Sequence, residues 1–255
     1  MVTAPIMIVT PIWQPVLREM EAAFLRVTNH TNASTPRAFV APQGMSTQWY
    51  EQTFPDWQVR RVDDRHLASV ANYSAWMTSA DPYQLFADAS MIVVCQTDAV
   101  LTRSVQALDV GAADFLGAPW SPPVRALRAG HRLAVYSAEG GGPWYARAFG
   151  KRLWVGNGGL SVRNTAAFER AATQLAARFP AHYRSRVNED VYFATVGPQV
   201  GLAIADRSQA ASVFAEAAAQ HMHDSQDLWG FHALERWNPT LAQHIIESIG
   251  EHGVT

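Results

Sequence analysis

Met91-Ile92-Val93-Val94-Cys95, running on into Gln96-Thr97-Asp98, is an apolar segment that ends on a carboxylate. Five apolar residues rich in β-branched types read as a buried strand. A buried strand that stops at Asp98 carries a charge to the edge of a sheet, and in open α/β sheets that edge is where ligands sit.

Upstream, Ile6-Met7-Ile8-Val9-Thr10 reads as a first strand, ended by Pro11, which has no N–H for a ladder. Apolar positions at Val16, Leu17, Met20, Ala23, Phe24 and Val27 have helical spacing over 15–28. Ala38–Ala41 and Gln58–Val62 read as further strands, the latter closing on Asp63-Asp64, and a mostly helical stretch is expected over 67–86. Downstream, Ser121–Arg152 carries Pro122-Pro123 and Gly140-Gly141-Gly142-Pro143. It reads as a long mobile loop with short helical or hairpin pieces, and long loops in compact domains are usually functional or disordered. Leu160–Val162 resumes a strand, and Thr165–Phe179 reads as a helix with Asn164 as its N-cap. Asp190–Thr195, Ser212–Gln220 and Thr240–Ile249 are later helical segments. Strands alternating with helices predict an α/β fold with a largely parallel central sheet flanked by helices.

The chain of 255 residues, 48% hydrophobic, is long enough for one large α/β domain with a sizeable core. Twenty basic against 22 acidic residues leave a net charge of -2, so the balance calls for no polyanionic partner. The single cysteine, Cys95, permits no intramolecular disulfide and is expected to be a buried, inert thiol. With neither a basic leader nor an apolar run of membrane-spanning length, the expectation is a cytoplasmic protein. The G-x-G-x-x-G and G-x-x-x-x-G-K-[ST] phosphate fingerprints are missing, as are H-E-x-x-H, C-x-x-C and G-x-S-x-G.

Several segments can carry chemistry, each beside an ordinary structural role. Asp98 offers a rigid oxygen ligand for a hard divalent ion, or caps a turn. Within Gly156-Asn157-Gly158-Gly159, three glycines in four residues let backbone approach a ligand, or simply make a tight turn. Glu189-Asp190 supplies a general base, or two carboxylates placed at a helix start by its dipole. His232 in Trp229-Gly230-Phe231-His232 is a metal ligand or a packed imidazole. Trp120 in Gly117-Ala118-Pro119-Trp120 stacks on a sugar or closes the core. Thr10, Pro11 and Asp63 sit at strand ends, where a doubly wound sheet binds a nucleotide.

The ordered set Tyr50, Tyr73, Phe86, Gln96-x-Asp98, Asp114-Phe-Leu-Gly-Ala-Pro-Trp120, Val155-Gly-Asn-Gly-Gly-Leu-Ser-Val-Arg163, Glu189-Asp190 and Gly230-Phe-His232 resembles a domain family long without an assigned function and grouped with glycosyltransferases of the GT-A fold. The likeness runs over about residues 5–235. It implies a GT-A-like, Rossmann-type single domain over 1–255, with a nucleotide-binding half at 1–100 and an acceptor and catalytic half at 101–255. It implies a metal-assisted sugar transfer, expected to invert, from a nucleotide-sugar donor to a glycan or other hydroxyl acceptor. Asp98 and His232 correspond to ligands of Mn²⁺ or Mg²⁺, with Asp190 favoured over Glu189 as the base. Gln96 and Thr97 join Asp98 on the donor side, and Trp120, Asn157, Gly158 and Gly159 line the sugar or acceptor pocket. The chain departs from the family pattern at Gln96, where GT-A enzymes usually have an aspartate, and this removes one charge from the ion's shell.

That departure motivates an alternative, a non-catalytic nucleotide- or carbohydrate-binding module. A further alternative takes a modified base in nucleic acid as acceptor, with Arg125, Arg128, Arg132, Arg147, Lys151 and Arg152 on the phosphates.

Overall fold

The structure, a computed structural model, describes residues 6–129, 132–136, 144–179, 187–216 and 227–250. Its centre is a six-stranded sheet. Strands β1 (Ile6–Pro11), β2 (Arg37–Pro42), β3 (Gln58–Val62), β4 (Met91–Cys95), β6 (Phe115–Gly117) and β10 (Leu160–Asn164) lie in the order β3-β2-β1-β4-β10-β6. The pairs β3–β2, β2–β1 and β1–β4 are parallel. Only β10 runs the other way, antiparallel to both β4 and β6. Val93 lies between Ile8 and Val162 in register, and the run Ile92–Cys95 is buried throughout. A central strand covered on both faces reads as continuous apolar sequence rather than as alternation.

Helix α1 (Glu19–Thr31) covers one face. On the other lie α3 (Val70–Met77), α4 (Asp81–Leu85), α6 (Thr165–Arg178) and α7 (Glu189–Val196), the last supplying Tyr192 and Phe193 to the core. A small helix, α2 (Gln48–Thr53), closes the β2–β3 side. Asn164 caps α6 by accepting from the Ala167 N–H, as the sequence predicts.

A second sheet, in the order β11-β12-β5, joins β5 (Ala99–Leu101), β11 (Phe214–Glu216) and β12 (Gly230–His232). It packs on α1 through Val100, Phe231, Phe24 and Val27. Beyond it come α9 (Leu234–Trp237) and α10 (Pro239–Gly250), with α8 (Arg207–Ala211) ahead of β11.

Five segments differ from the sequence reading. Pro11 stays in β1, opposite Val40, because its missing N–H costs nothing at the strand's last position. Helix α1 starts at Glu19 rather than near 15, where the Glu21 carboxylate accepts from the Arg18 N–H. The stretch 67–86 is two short helices, because Ser69 caps a new start and Pro82 begins another. Over 121–152 the expected hairpin and short helix are present, but the described residues join them in a third sheet rather than a long loop. There β7 (Pro119–Ala129) pairs antiparallel with β8 (Arg132–Tyr136) and β9 (Lys151–Val155), with α5 (Trp144–Phe149) between those two. Phe214–Glu216, read as part of a helix, is a strand, because it pairs with Gly230–His232; residues 217–220 of that reading lie outside the described residues.

No helix among the described residues is long and apolar enough to cross a membrane.

Candidate active site

The strand order reverses between β1 and β4, and the crevice at their carboxyl ends is where doubly wound sheets bind ligands. A cavity of about 550 Å³ opens there. Its lining includes Pro11, Trp13, Val70, Tyr73, Gln96, Trp120, Asn157, Gly158, Gly159, Glu189, Asp190 and His232. Because β10 runs opposite to β4, the turn Gly156–Gly159 that feeds it lies at this same edge. The Gln96 N–H donates to the Gly159 carbonyl at 2.8 Å.

Two of the glycines are needed by what they touch. A Cβ on Gly158 would lie 2.3 Å from Glu189 Oε1; one on Gly159 would lie 2.1 Å from His232 Nε2 and 2.9 Å from Gln96 Oε1. Asn157 Oδ1 accepts from the Gly159 and Leu160 N–H groups at 2.8 and 3.2 Å, which fixes the turn and turns its amide nitrogen toward His232.

Glu189 and Asp190, adjacent in sequence, have different surroundings. Glu189 is the counter-ion of the fully buried Arg163, with Nη2 and Oε1 3.1 Å apart, and Oε2 accepts from the Ser74 hydroxyl at 3.2 Å. Arg163 also donates to Ser161 Oγ and Tyr83 Oη, and its guanidinium lies 5.5 Å from the rings of Phe115 and Phe168. Burial opposes its charge, yet Tyr83 and Glu189 hold its pKa above the ordinary value. Asp190 is ion-paired with no cation among the described residues: its oxygens accept from the Gly158 and Val191 N–H groups at 3.1 and 2.6 Å. Burial, then the adjacent Glu189 charge, push its carboxyl up to about 7.

On the other side of the cavity, the second sheet delivers His232. Its register sets His232 opposite Ala99, and the Ala233 N–H donates to the Asp98 carbonyl at 3.0 Å. Ala233 turns the chain there with φ +54°. Among the described residues His232 Nε2 is buried without a hydrogen-bond partner, 3.5 Å from Asp98 Oδ1, while Nδ1 lies 3.2 Å from Glu216 Oε1. Burial works against a charged ring, but Asp98 and Glu216 outweigh it and push His232 up to about 9. Asp98 faces a second hollow of about 520 Å³, also lined by Arg18, Arg236 and Trp237; His232 and Glu216 border both hollows.

An orphaned imidazole nitrogen facing a carboxylate, beside space that a Cβ on Gly159 would fill, is a donor set that fits one divalent cation. Among the described residues no group of three or more His, Cys, Asp or Glu side chains gathers as a fuller shell. Asp98 and His232 could therefore supply two ligands of such an ion.

Of the other sequence candidates, Thr10 and Thr97 are buried structural donors that line neither hollow. Thr10 Oγ1 bonds the Cys95 carbonyl at 2.7 Å, and Thr97 Oγ1 bonds Glu21 at 3.1 Å. Asp63 caps a short 3-10 turn by accepting from the Arg65 N–H, away from the cavity. Trp120 lines the cavity while packing against Gly156. Arg125, Lys151 and Arg152 belong to the β7–β9 ladder; the side chains of Arg128, Arg132 and Arg147 lie outside the described residues. Cys95 is fully buried, and burial pushes its thiol up to about 12. Arg163, Tyr73 and Glu216 were not singled out for a role by sequence. An arginine inside an otherwise apolar strand was the available signal for Arg163.

The sequence family described as "Protein of unknown function (DUF5672)" matches residues 56–232. No curated protein matches the chain. Among solved structures, the galactosyltransferase LgtC in complex with donor and acceptor sugar analogs is similar with a TM-score of 0.58 at 12% identity, covering 95% of each chain. An active-site mutant of LgtC gives the same TM-score and identity over 96% of this chain and 95% of that one. The fold is thus that of GT-A glycosyltransferases such as LgtC.

Proposed function

This chain belongs to the DUF5672 family, and from that premise we propose that it is a metal-assisted glycosyltransferase. It moves a sugar from a nucleotide-sugar donor to a hydroxyl of a glycan or other acceptor, with inversion. The observation that carries the reading is the split between two adjacent carboxylates. Both line the cavity, but Glu189 is neutralised by Arg163, while burial beside the Glu189 charge pushes the Asp190 carboxyl up to about 7. A group poised there both takes and holds a proton at working pH, which a general base for an attacking hydroxyl must do.

The parts have distinct work. Pro11, Trp13 and Val70 offer a surface for the nucleotide at the crevice mouth. Gln96 presents its amide to the sugar hydroxyls, the turn held by Asn157 lines the same pocket, and Trp120 gives the sugar an apolar wall. Asp190 deprotonates the acceptor hydroxyl as that oxygen attacks the anomeric carbon, and the bond to the diphosphate breaks. A Mn²⁺ or Mg²⁺ ion held by Asp98 and His232 would neutralise the charge that develops on the departing diphosphate. The test is incubation with a panel of nucleotide sugars and Mn²⁺, reading donor binding and hydrolysis, with the product anomer assigned by NMR. The absence of both binding and hydrolysis with every donor would overturn the proposal, and a retained anomeric configuration would overturn inversion alone.

A second reading, a binding module without turnover, is favoured by one feature: the neutral Gln96 leaves Asp98 as the sole carboxylate of the Gln96-Thr97-Asp98 segment. Metal-independent nucleotide binding with no product would support it.

A further inference from the structure

Glu216 has no part in the chemistry above. It lies directly opposite His232 in the parallel register of β11 and β12, so the two side chains share a face of that small sheet. Its Oε1 is 3.2 Å from His232 Nδ1, and its side chain is 18% exposed. The same Nδ1 is met from the other side by Asn157 Nδ2 at 3.1 Å. Asn157 is pinned in that orientation, because its Oδ1 already accepts from two backbone N–H groups.

The two neighbours make opposite demands on the ring. An amide N–H aimed at Nδ1 asks for a lone pair there. In a neutral imidazole that places the single proton on Nε2, the atom facing Asp98, and a protonated nitrogen binds no metal. A carboxylate aimed at Nδ1 asks for a proton there and leaves the lone pair on Nε2. A carboxylate behind a metal-bound histidine fixes its tautomer and raises its basicity. We propose that Glu216 is a positioning residue: by accepting the Nδ1 proton against the competing Asn157 amide, it keeps the Nε2 lone pair of His232 facing Asp98 and so sets the site's affinity for a divalent cation. The proposal rests on the reading of Asp98 and His232 as the metal pair.

The test uses the full chain with Mn²⁺ and inorganic pyrophosphate, following the loss of the free Mn²⁺ resonance by electron paramagnetic resonance. Glu216→Leu is expected to weaken Mn²⁺ binding roughly 10- to 100-fold. Glu216→Gln, whose side-chain carbonyl still accepts the Nδ1 proton, is expected to stay within a few-fold of the parent. In protein carrying ¹⁵N-histidine, the electron spin echo of bound Mn²⁺ is expected to show a coordinated imidazole nitrogen in the parent and in Glu216→Gln, and to lose it in Glu216→Leu. Should Glu216→Leu fold poorly, Glu216→Ala makes the same comparison. Parental affinity and an intact nitrogen signal in the leucine or alanine variant would overturn the positioning role. Asp98→Asn separates the two levels. If it too binds Mn²⁺ like the parent, the metal pair itself is wrong; if it binds weakly while Glu216→Leu does not, only the role of Glu216 falls.

Discussion

Asp190 and Glu189 carry the same functional group one peptide apart, and their neighbours give them different work. Asp190→Asn is expected to lower kcat roughly 10²- to 10⁴-fold with donor affinity kept. In the parent, turnover should fall as pH drops through about 7, and the asparagine variant should lack that limb. The same shift enters stability. A carboxyl with a raised folded-state pKa binds its proton more tightly folded than unfolded, so its contribution is fully present below the ordinary value of 3.8 and is lost as pH rises to about 7. Urea unfolding should therefore move in favour of Asp190→Asn, relative to the parent, across that window. Glu189→Gln strips a buried guanidinium of its counter-ion and is expected to cost about 3–5 kcal/mol, whereas replacing Arg163 and Glu189 together by apolar residues costs far less, again by urea unfolding. The carboxylate pair was legible in the sequence. Their division of labour was not, because it is set by Arg163, 26 positions before Glu189, and by Ser74 and Tyr83, which only the packing of α3, α4 and α7 brings near.

Five of the six strands of the main sheet were readable because local pattern and burial agree: β3 and β4 have the expected bounds, β1, β2 and β10 differ by a residue or two, and only the three-residue β6 was not read as a strand. The misread segments are those where pairing overrode local preference. Ala215 sits in an alanine-rich stretch with helical propensity, yet Phe214–Glu216 is held as strand by Gly230–His232. Pro122-Pro123 signalled a loop, but β7 tolerates them at its irregular start, where the register shifts between Pro119 and Val124; Gly140–Gly142 lie outside the described residues. The glycine turn before β10 is the most demanding element. Gly159→Ala places a methyl against His232 Nε2 and is expected to destabilise the fold by about 1–3 kcal/mol and to abolish Mn²⁺ binding measured by paramagnetic resonance.

Asp98 meets His232 only when β12, more than 120 residues downstream, pairs with β5, so cation binding should report on the long-range folding of the chain. Mn²⁺ with pyrophosphate at about 100 times its Kd stabilises by about 2.7 kcal/mol. For a chain of 255 residues this is a rise in Tm of roughly 5–10 °C, absent in Asp98→Asn, by calorimetry. The reversed strand β10 has a consequence of another kind. It covers the outer side of β4, but it arrives only at residues 160–164, well after β4 has left the ribosome. Until then Met91–Cys95, an uncharged β-prone stretch, is an open ladder edge able to recruit a second nascent chain. A fragment ending near residue 110 is expected to self-associate in sedimentation, and one extended through α6 to be far less prone, which makes the arrival of β10 the step that guards this protein against aggregation during synthesis.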